Sequence, residues 1–258
     1  VLPSPVLTLS PNQTICGGTQ TALTAFSNSV AGGDFSWALL NPGGIPSAVT
    51  GYPTSGIGQI PISTINNTGN SDFTLSYTVT PNANSCSGTP LTYTITVNPT
   101  PSLTSPLTAT ICSGTAVNQT LVSTIPSSYS WSAVNNVFIS GESLTNQSGN
   151  PISDVLTNTS ASIQTVNYTV ILTSNANSCN GPAQTLVVTV APPISMTSIN
   201  AQTICSGTQT NIPLSANITS TYSWIASDNP NVSGESLTNQ SGLSINNTLT
   251  NSSSLIEL

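Results

Sequence analysis

The chain has 258 residues with no Lys, Arg or His and only seven acidic side chains, for a formal net charge of −7. Nucleic acids and anionic membrane surfaces are held by cationic side chains, so neither is a partner, and no apolar run is long enough for a membrane-spanning helix. Apolar residues make up 36% of the chain and charged residues 3%, unlike disordered chains, which pair low hydrophobicity with high charge; the Ser, Thr, Asn, Gln and Gly remainder favours turns and strands over helices.

The opening segment VLPSPVLTLS (1–10) resembles later joints of the same chain, does not begin with Met and carries no basic leader, so the sequence reads as an interior piece of a longer one. A short motif, TICGGT (14–19), comes next, followed by the aromatic run FSWAL (35–39) and the turn NPGG (41–44). The middle GYPTSGIGQIPIS (51–63) and the turn NNTGN (66–70) lead into LSYTVTPNANSCSG (75–88) and the strand LTYTITVNP (91–99). In that last strand Leu91, Tyr93, Ile95 and Val97 share one face, with Thr between them, the period-two pattern of a half-buried β-strand.

The series then repeats. TICSGT occupies 110–115 and 203–208, YSWSA 129–133 and YSWIA 222–226, and SGESLTNQSG stands unchanged at 140–149 and 233–242. VNYTVILTSNANSCNG (166–181) and TLVVTVAPP (185–193) complete the second copy. The spacing is 96 residues from Cys16 to Cys112 and 93 from Cys112 to Cys205, too long for the turns of a solenoid. Short alternating runs separated by turn chemistry predict all-β, immunoglobulin-like sandwich domains in tandem. The Pro-containing joints 98–106 and 191–196 place the domains at 1–100, 101–193 and 194–258, the last without its closing strands.

Cys16 and Cys86 lie 70 residues apart, and Cys112 and Cys179 lie 67 apart. The similar spacing predicts one disulfide inside each of the first two domains, with free buried thiols as the alternative; a metal site lacks both His and CxxC spacing. Disulfides imply an oxidising, extracytoplasmic setting. Cys205 has no counterpart within the sequence, since the same spacing would fall at about 272–275, past Leu258; its unpaired state is read as a mark of truncation.

With no His, Lys or Arg the usual bases and electrophiles are missing, and the carboxylates are only Asp34, Asp72, Asp154, Asp228, Glu142, Glu235 and Glu257, so the chain is expected not to be an enzyme and to need no cofactor. Glu142 with Asn146, and Glu235 with Asn239, occupy equivalent places in the repeated decapeptide. They are weak candidates for a repeated ligand site, against the plainer reading of a polar inter-strand loop. Trp37, Trp131 and Trp224 are read as core aromatics, with sugar-stacking platforms as the alternative. Asn-x-Ser/Thr triplets, such as those at Asn118, Asn167 and Asn217, arise by chance in this composition and say little about glycans.

The ordered series ICSGT, YSW, LTN.S, YTV, N.C.G and VTV.P resembles the PKD-like repeat domains of Bacteroidota surface proteins. Such repeats occur in tandem in very large adhesins exported by the type IX secretion system, including the mobile adhesin of gliding flavobacteria. The resemblance covers the first two units fully and the third as far as LTNSS (249–253); the first departs from it in GGT and in its middle segment. It implies stalk or spacer repeats of a large extracellular adhesin filament attached to an outer membrane, serving surface attachment and gliding motility. Neighbouring repeats are the expected partners, with surface polysaccharide or a solid substratum beyond them. The alternative function is a carbohydrate- or surface-ligand-binding module with sites on the domain loops.

Overall fold

The computed structural model describes residues 2–40 and 42–257; Val1, Asn41 and Leu258 lie outside them. The expected turn at 41–44 therefore has its first residue outside the described set, and its remainder, Pro42–Gly44, forms a single 3-10 turn. All other regular structure is β.

The first sandwich has a larger sheet in the order β2 (Gln13–Cys16), β11 (Leu91–Asn98), β9 (Phe73–Ala83), β5 (Asp34–Leu39) and β7 (Ser55–Ile57). The two-residue β10 (Cys86–Ser87) folds back on β9. Facing it is a smaller sheet of β3 (Thr19–Gln20), β8 (Thr64–Asn67) and β6 (Val49–Thr50), and a short ribbon pairs β1 (Leu7–Thr8) with β4 (Ser27–Asn28). All pairs are antiparallel except β2, which runs parallel to β11 and sets Cys16 opposite Asn98. Alternation along β9 and β11 turns Leu75, Tyr77, Val79, Tyr93, Ile95 and Val97 inward, where each is at most 1% exposed. Leu91, at the open end of β11, is 41% exposed and does not join that face.

The second sandwich repeats the plan. Its larger sheet is β12 (Thr108–Cys112), β19 (Gln184–Ala191), β18 (Gln164–Ser174), β14 (Ser127–Ala133) and β16 (Gln147–Ser148). Its smaller sheet is β13 (Thr115–Ala116), β17 (Val155–Asn158) and β15 (Ile139–Ser140). Here β12 is the parallel strand, with Cys112 opposite Ala191. The core gathers Leu156, Val166, Tyr168, Val170, Leu172, Leu186, Val188 and Val190.

The third unit has only the outer parts of this plan. Sheet β20 (Thr208–Gln209), β26 (Thr248–Asn251), β23 (Val232–Ser233) matches the smaller sheet. The pairs β21 (Ile212–Pro213) with β25 (Ser244–Ile245), and β22 (Ser223–Trp224) with β24 (Gln240–Ser241), stand apart from it. The sequence holds no counterpart of β18 or β19. Residues 201–205, the match to β12, consequently take no strand conformation, because the strand they would run beside is not in the chain. Among the described residues from 194 onward, Thr210 alone is buried. Trp224 thus departs from the core reading: it is half-buried on a two-residue strand, with no second sheet to close over it.

Candidate functional site

The motif TICSGT forms a corner at which the chain leaves the larger sheet for the smaller one. Cys112 ends β12, Gly114 takes a left-handed φ of 78°, and the Thr115 hydroxyl donates back to the Cys112 carbonyl at 2.7 Å. The same hydroxyl-to-carbonyl bond closes the other copies, from Thr19 to Cys16 and from Thr208 to Cys205, each at 2.6 Å. Between these residues the Ser113 hydroxyl accepts from the Asn158 N–H at 2.9 Å, as Ser206 does from Asn251. In the first copy a Gly17 Cβ would lie 2.7 Å from the Asn67 nitrogen, which accounts for GGT in place of SGT.

This corner lies at the downstream pole, because β11 and β19 end beside it and pass directly into the next joint. The second cysteine of each domain lies at the other pole. Cys86 and Cys179 lie just past the turns that follow β9 and β18, where Ser85 and Ser178 adopt φ of 62° and 57°. Two residues on, a Cβ on Gly88 would collide with the Pro5 carbonyl, and one on Gly181 with the Pro101 carbonyl. Only glycine lets the incoming chain pass this close to the turn.

The expected pairing inside each domain is therefore corrected. From Cys16, opposite Asn98, the other pole is reached seven residues along β11 to Leu91 and four more along β9 from Val79 to Ala83. At ~3.3 Å per residue that is ~36 Å, far beyond the reach of a disulfide. Cys112 and Cys179 are separated in the same way across β19 and β18. The bond present joins Cys16 of the first sandwich to Cys179 of the second, with Cα atoms 5.5 Å apart. Its cause is the joint: Asn98 lies beside Cys16, Pro101 lies against Gly181, and only Pro99 and Thr100 separate Asn98 from Pro101. Cys179 is fully buried, while Cys86, Cys112 and Cys205 are free thiols, Cys86 half-buried and the other two exposed.

The other candidate residues brace the fold. Glu142 accepts from the Asn136 N–H at 2.9 Å, and Glu235 from the Asn229 N–H at 3.0 Å. Burial raises the Glu142 carboxyl above its ordinary range, the bond from Asn136 lowers it, and the charge of Asp154 raises it again. Asp154 ties the decapeptide loop to the core. It accepts from the Ser143 N–H and hydroxyl, both at 2.8 Å, and from the Tyr168 hydroxyl at 2.9 Å. In the third unit Asn247 stands in its place and accepts from Ser236. Asn146 and Asn239 are exposed on these loops, and no structural feature gathers them into a site.

Trp131 is buried edge-on to Tyr168 at 5.8 Å, and Trp37 meets Tyr77 in the same way at 5.9 Å. Gly56 lies against the Trp37 ring, where any side chain would overlap it. Neither ring offers a face to a sugar. Among the described residues there is no grouping of three or more His, Cys, Asp or Glu that could hold a metal.

A further set of polar residues, outside the candidates the sequence offers, stands at the ends of the LTN-type strands. Asn158, 1% exposed, donates to the Ser162 and Val190 carbonyls at 2.8 and 3.0 Å and so joins the two sheets. Asn67 does the same for Ser71 and Val97. The signal was its recurrence at the end of every LTN-type strand.

Comparison with known proteins places this geometry in context. The family described as PKD-like domain matches residues 13–101, 109–193 and 202–258. No curated protein matches the chain. Among solved structures, the I67–I69 fragment of titin, in a Glu-to-Ala variant, is 9% identical over 98% of this chain and 90% of its own, with a TM-score of 0.36. Human CDH23 EC21–23 is 12% identical over 98% and 91%, with a TM-score of 0.34.

Proposed function

This chain belongs to the PKD-like domain family, and we propose that it is a spacer: a run of structural repeats in the stalk of a large extracellular cell-surface adhesin. The observation that carries this reading is the Cys16–Cys179 bond across the first joint. A covalent clamp between consecutive domains fixes their relative direction and leaves each core intact, which is what a rod needs and a catalytic or ligand pocket does not. The supporting features are the serial sandwiches, the short joint and the commitment of Trp37, Trp131 and Glu142 to packing and bracing. The division at 1–100, 101–193 and 194–258 is part of this proposal.

A disulfide of this kind belongs to an oxidising compartment, which supports an extracellular location. The absence of Lys and Arg leaves trypsin-type proteases no site, and so few charges make the fold insensitive to salt. Export by a type IX system, attachment to the outer membrane of a Bacteroidota cell and a part in gliding are the finer form of the proposal, drawn from the motif series. The domains would act without catalysis, and their partners are neighbouring repeats, with polysaccharide or a substratum met elsewhere on the adhesin.

Small-angle scattering tests the spacer reading. With ~36 Å per sandwich from the 11-residue β9 and β18, three units in series give a rod of ~100 Å. A scattering profile of a compact particle, with the units folded against one another, would overturn it.

A further inference from the structure

Two of the free thiols, Cys112 and Cys86, occupy positions already defined by the bond that exists. Cys112 is the counterpart of Cys16: each ends the parallel edge strand, each is opposite the last residue of the closing strand, and each is followed by the same Thr-closed corner. Cys86 is the counterpart of Cys179: each follows the long central strand and lies two residues before a glycine against which the incoming proline packs. The joints agree as well. Two residues separate Asn98 from Pro101, and two separate Ala191 from Ile194. Just beyond them, Leu103 bridges to Ser123 in the second unit and Met196 to Ala216 in the third, so the chain enters both units alike.

We propose that Cys16–Cys179 is one rung of a repeating pattern, in which the downstream-pole cysteine of each repeat bonds the upstream-pole cysteine of the next. Cys112 is then a linkage site for a following repeat that carries the turn cysteine, and Cys86 for a preceding repeat that carries the corner cysteine. Each rung forms when two thiols give up two protons and two electrons to a disulfide oxidant, which leaves as two thiols. The inference rests on the spacer reading and deepens it.

The pattern has a mechanical consequence. Successive rungs overlap, so the shortest covalent route from one rung to the next but one is the 26 residues from Cys179 to Cys205. Fully extended, that segment spans ~90 Å, against ~70 Å for the two folded sandwiches it would replace. A filament built this way gains only about a quarter of its length even when its domains unfold.

Disulfide mapping under glutathione disulfide tests the pattern, in the chain as it stands and in two extended forms. In the chain itself, digestion without reduction should yield a Cys16–Cys179 peptide, with Cys86, Cys112 and Cys205 alkylated. Peptides joining Cys16 to Cys86, or Cys112 to Cys179, overturn the proposal. Duplicating residues 2–97 ahead of residue 2 sets two first-type sandwiches in series through an equivalent joint. The copy of Cys16 should then bond the original Cys86, and its bonding its own Cys86, or remaining free, counts against the pattern. Appending a copy of residues 166–193 after Leu258 supplies the missing strands in register. Cys112 should bond the appended cysteine and leave Cys205 free; a Cys205 bond to it contradicts the rung. A scattering profile that stays rod-like while these maps fail removes the rungs and leaves the spacer reading standing.

Discussion

Asn158 donates to the Val190 carbonyl at 3.0 Å from within the second sandwich, and so fastens the smaller sheet to the closing strand of the larger. Its other N–H holds the Ser162 carbonyl at 2.8 Å. Buried carbonyls stripped of a donor each cost about 1–3 kcal/mol. Asn158→Ala is therefore expected to destabilise the second sandwich by about 2–4 kcal/mol. At about 4–8 °C per kcal/mol for a domain of this size, its calorimetric transition should fall by about 8–30 °C. Asn251, the equivalent in the third unit, donates from its side chain to the Leu255 carbonyl but has no closing strand to reach, so Asn251→Ala should change stability by under about 1 kcal/mol. Equal effects of the two substitutions would show that the inter-sheet bond is not the source.

Tyr77 and Tyr168 are the tyrosines whose surroundings oppose ionisation most clearly. Burial raises both phenols well above the ordinary 10.0; Tyr52 adds a smaller push at Tyr77, and the bond to Asp154 followed by the charges of Asp154 and Glu142 does so at Tyr168. A phenol whose pKa is raised by folding gives stability that is fully present below 10.0 and is lost as pH rises through the folded value. In an alkaline titration followed by phenolate absorbance, Tyr77 and Tyr168 should ionise only together with unfolding, so that the six tyrosines do not all ionise in the folded chain. Ionisation of all six before the circular-dichroism signal of the sheets is lost would contradict this.

The tryptophans separate a core role from a sugar platform. Trp131→Ala should cost about 3–5 kcal/mol in urea unfolding, as for other buried large-to-small changes, and Trp224→Ala under about 1 kcal/mol because no core surrounds it. A Trp131→Ala chain that unfolds at the parent midpoint, yet loses binding on a glycan array, would favour a ligand platform.

Much of this molecule could be read from its residues. The alternation in LTYTITV became β11, with Tyr93, Ile95 and Val97 buried, and the Ser and aromatic alternation of YSWSA became β14, with Trp131 and Ala133 inward. The third unit's lack of closing strands was visible as missing YTV and VTV motifs. The disulfide partner was not legible, for a physical reason. In a periodic chain a bond within a repeat and a bond to the next repeat give equally regular spacings, here 70 and 67 against 163. The choice depends on β2 and β12 running parallel to the closing strands, and a strand's local pattern does not encode its neighbour's direction. Asn158 was hidden because an asparagine that joins two sheets looks, in sequence, like one that starts a turn.

Stretching single molecules from their two ends tests the central claim, that the first two repeats are clamped across their joint. With Cys16 bonded to Cys179, the chain between them is out of the line of force, a separation of 163 residues. The account predicts that a reductant adds about 570 Å to the fully unfolded contour length, at ~3.5 Å per residue. The same contour length with and without reductant would contradict it.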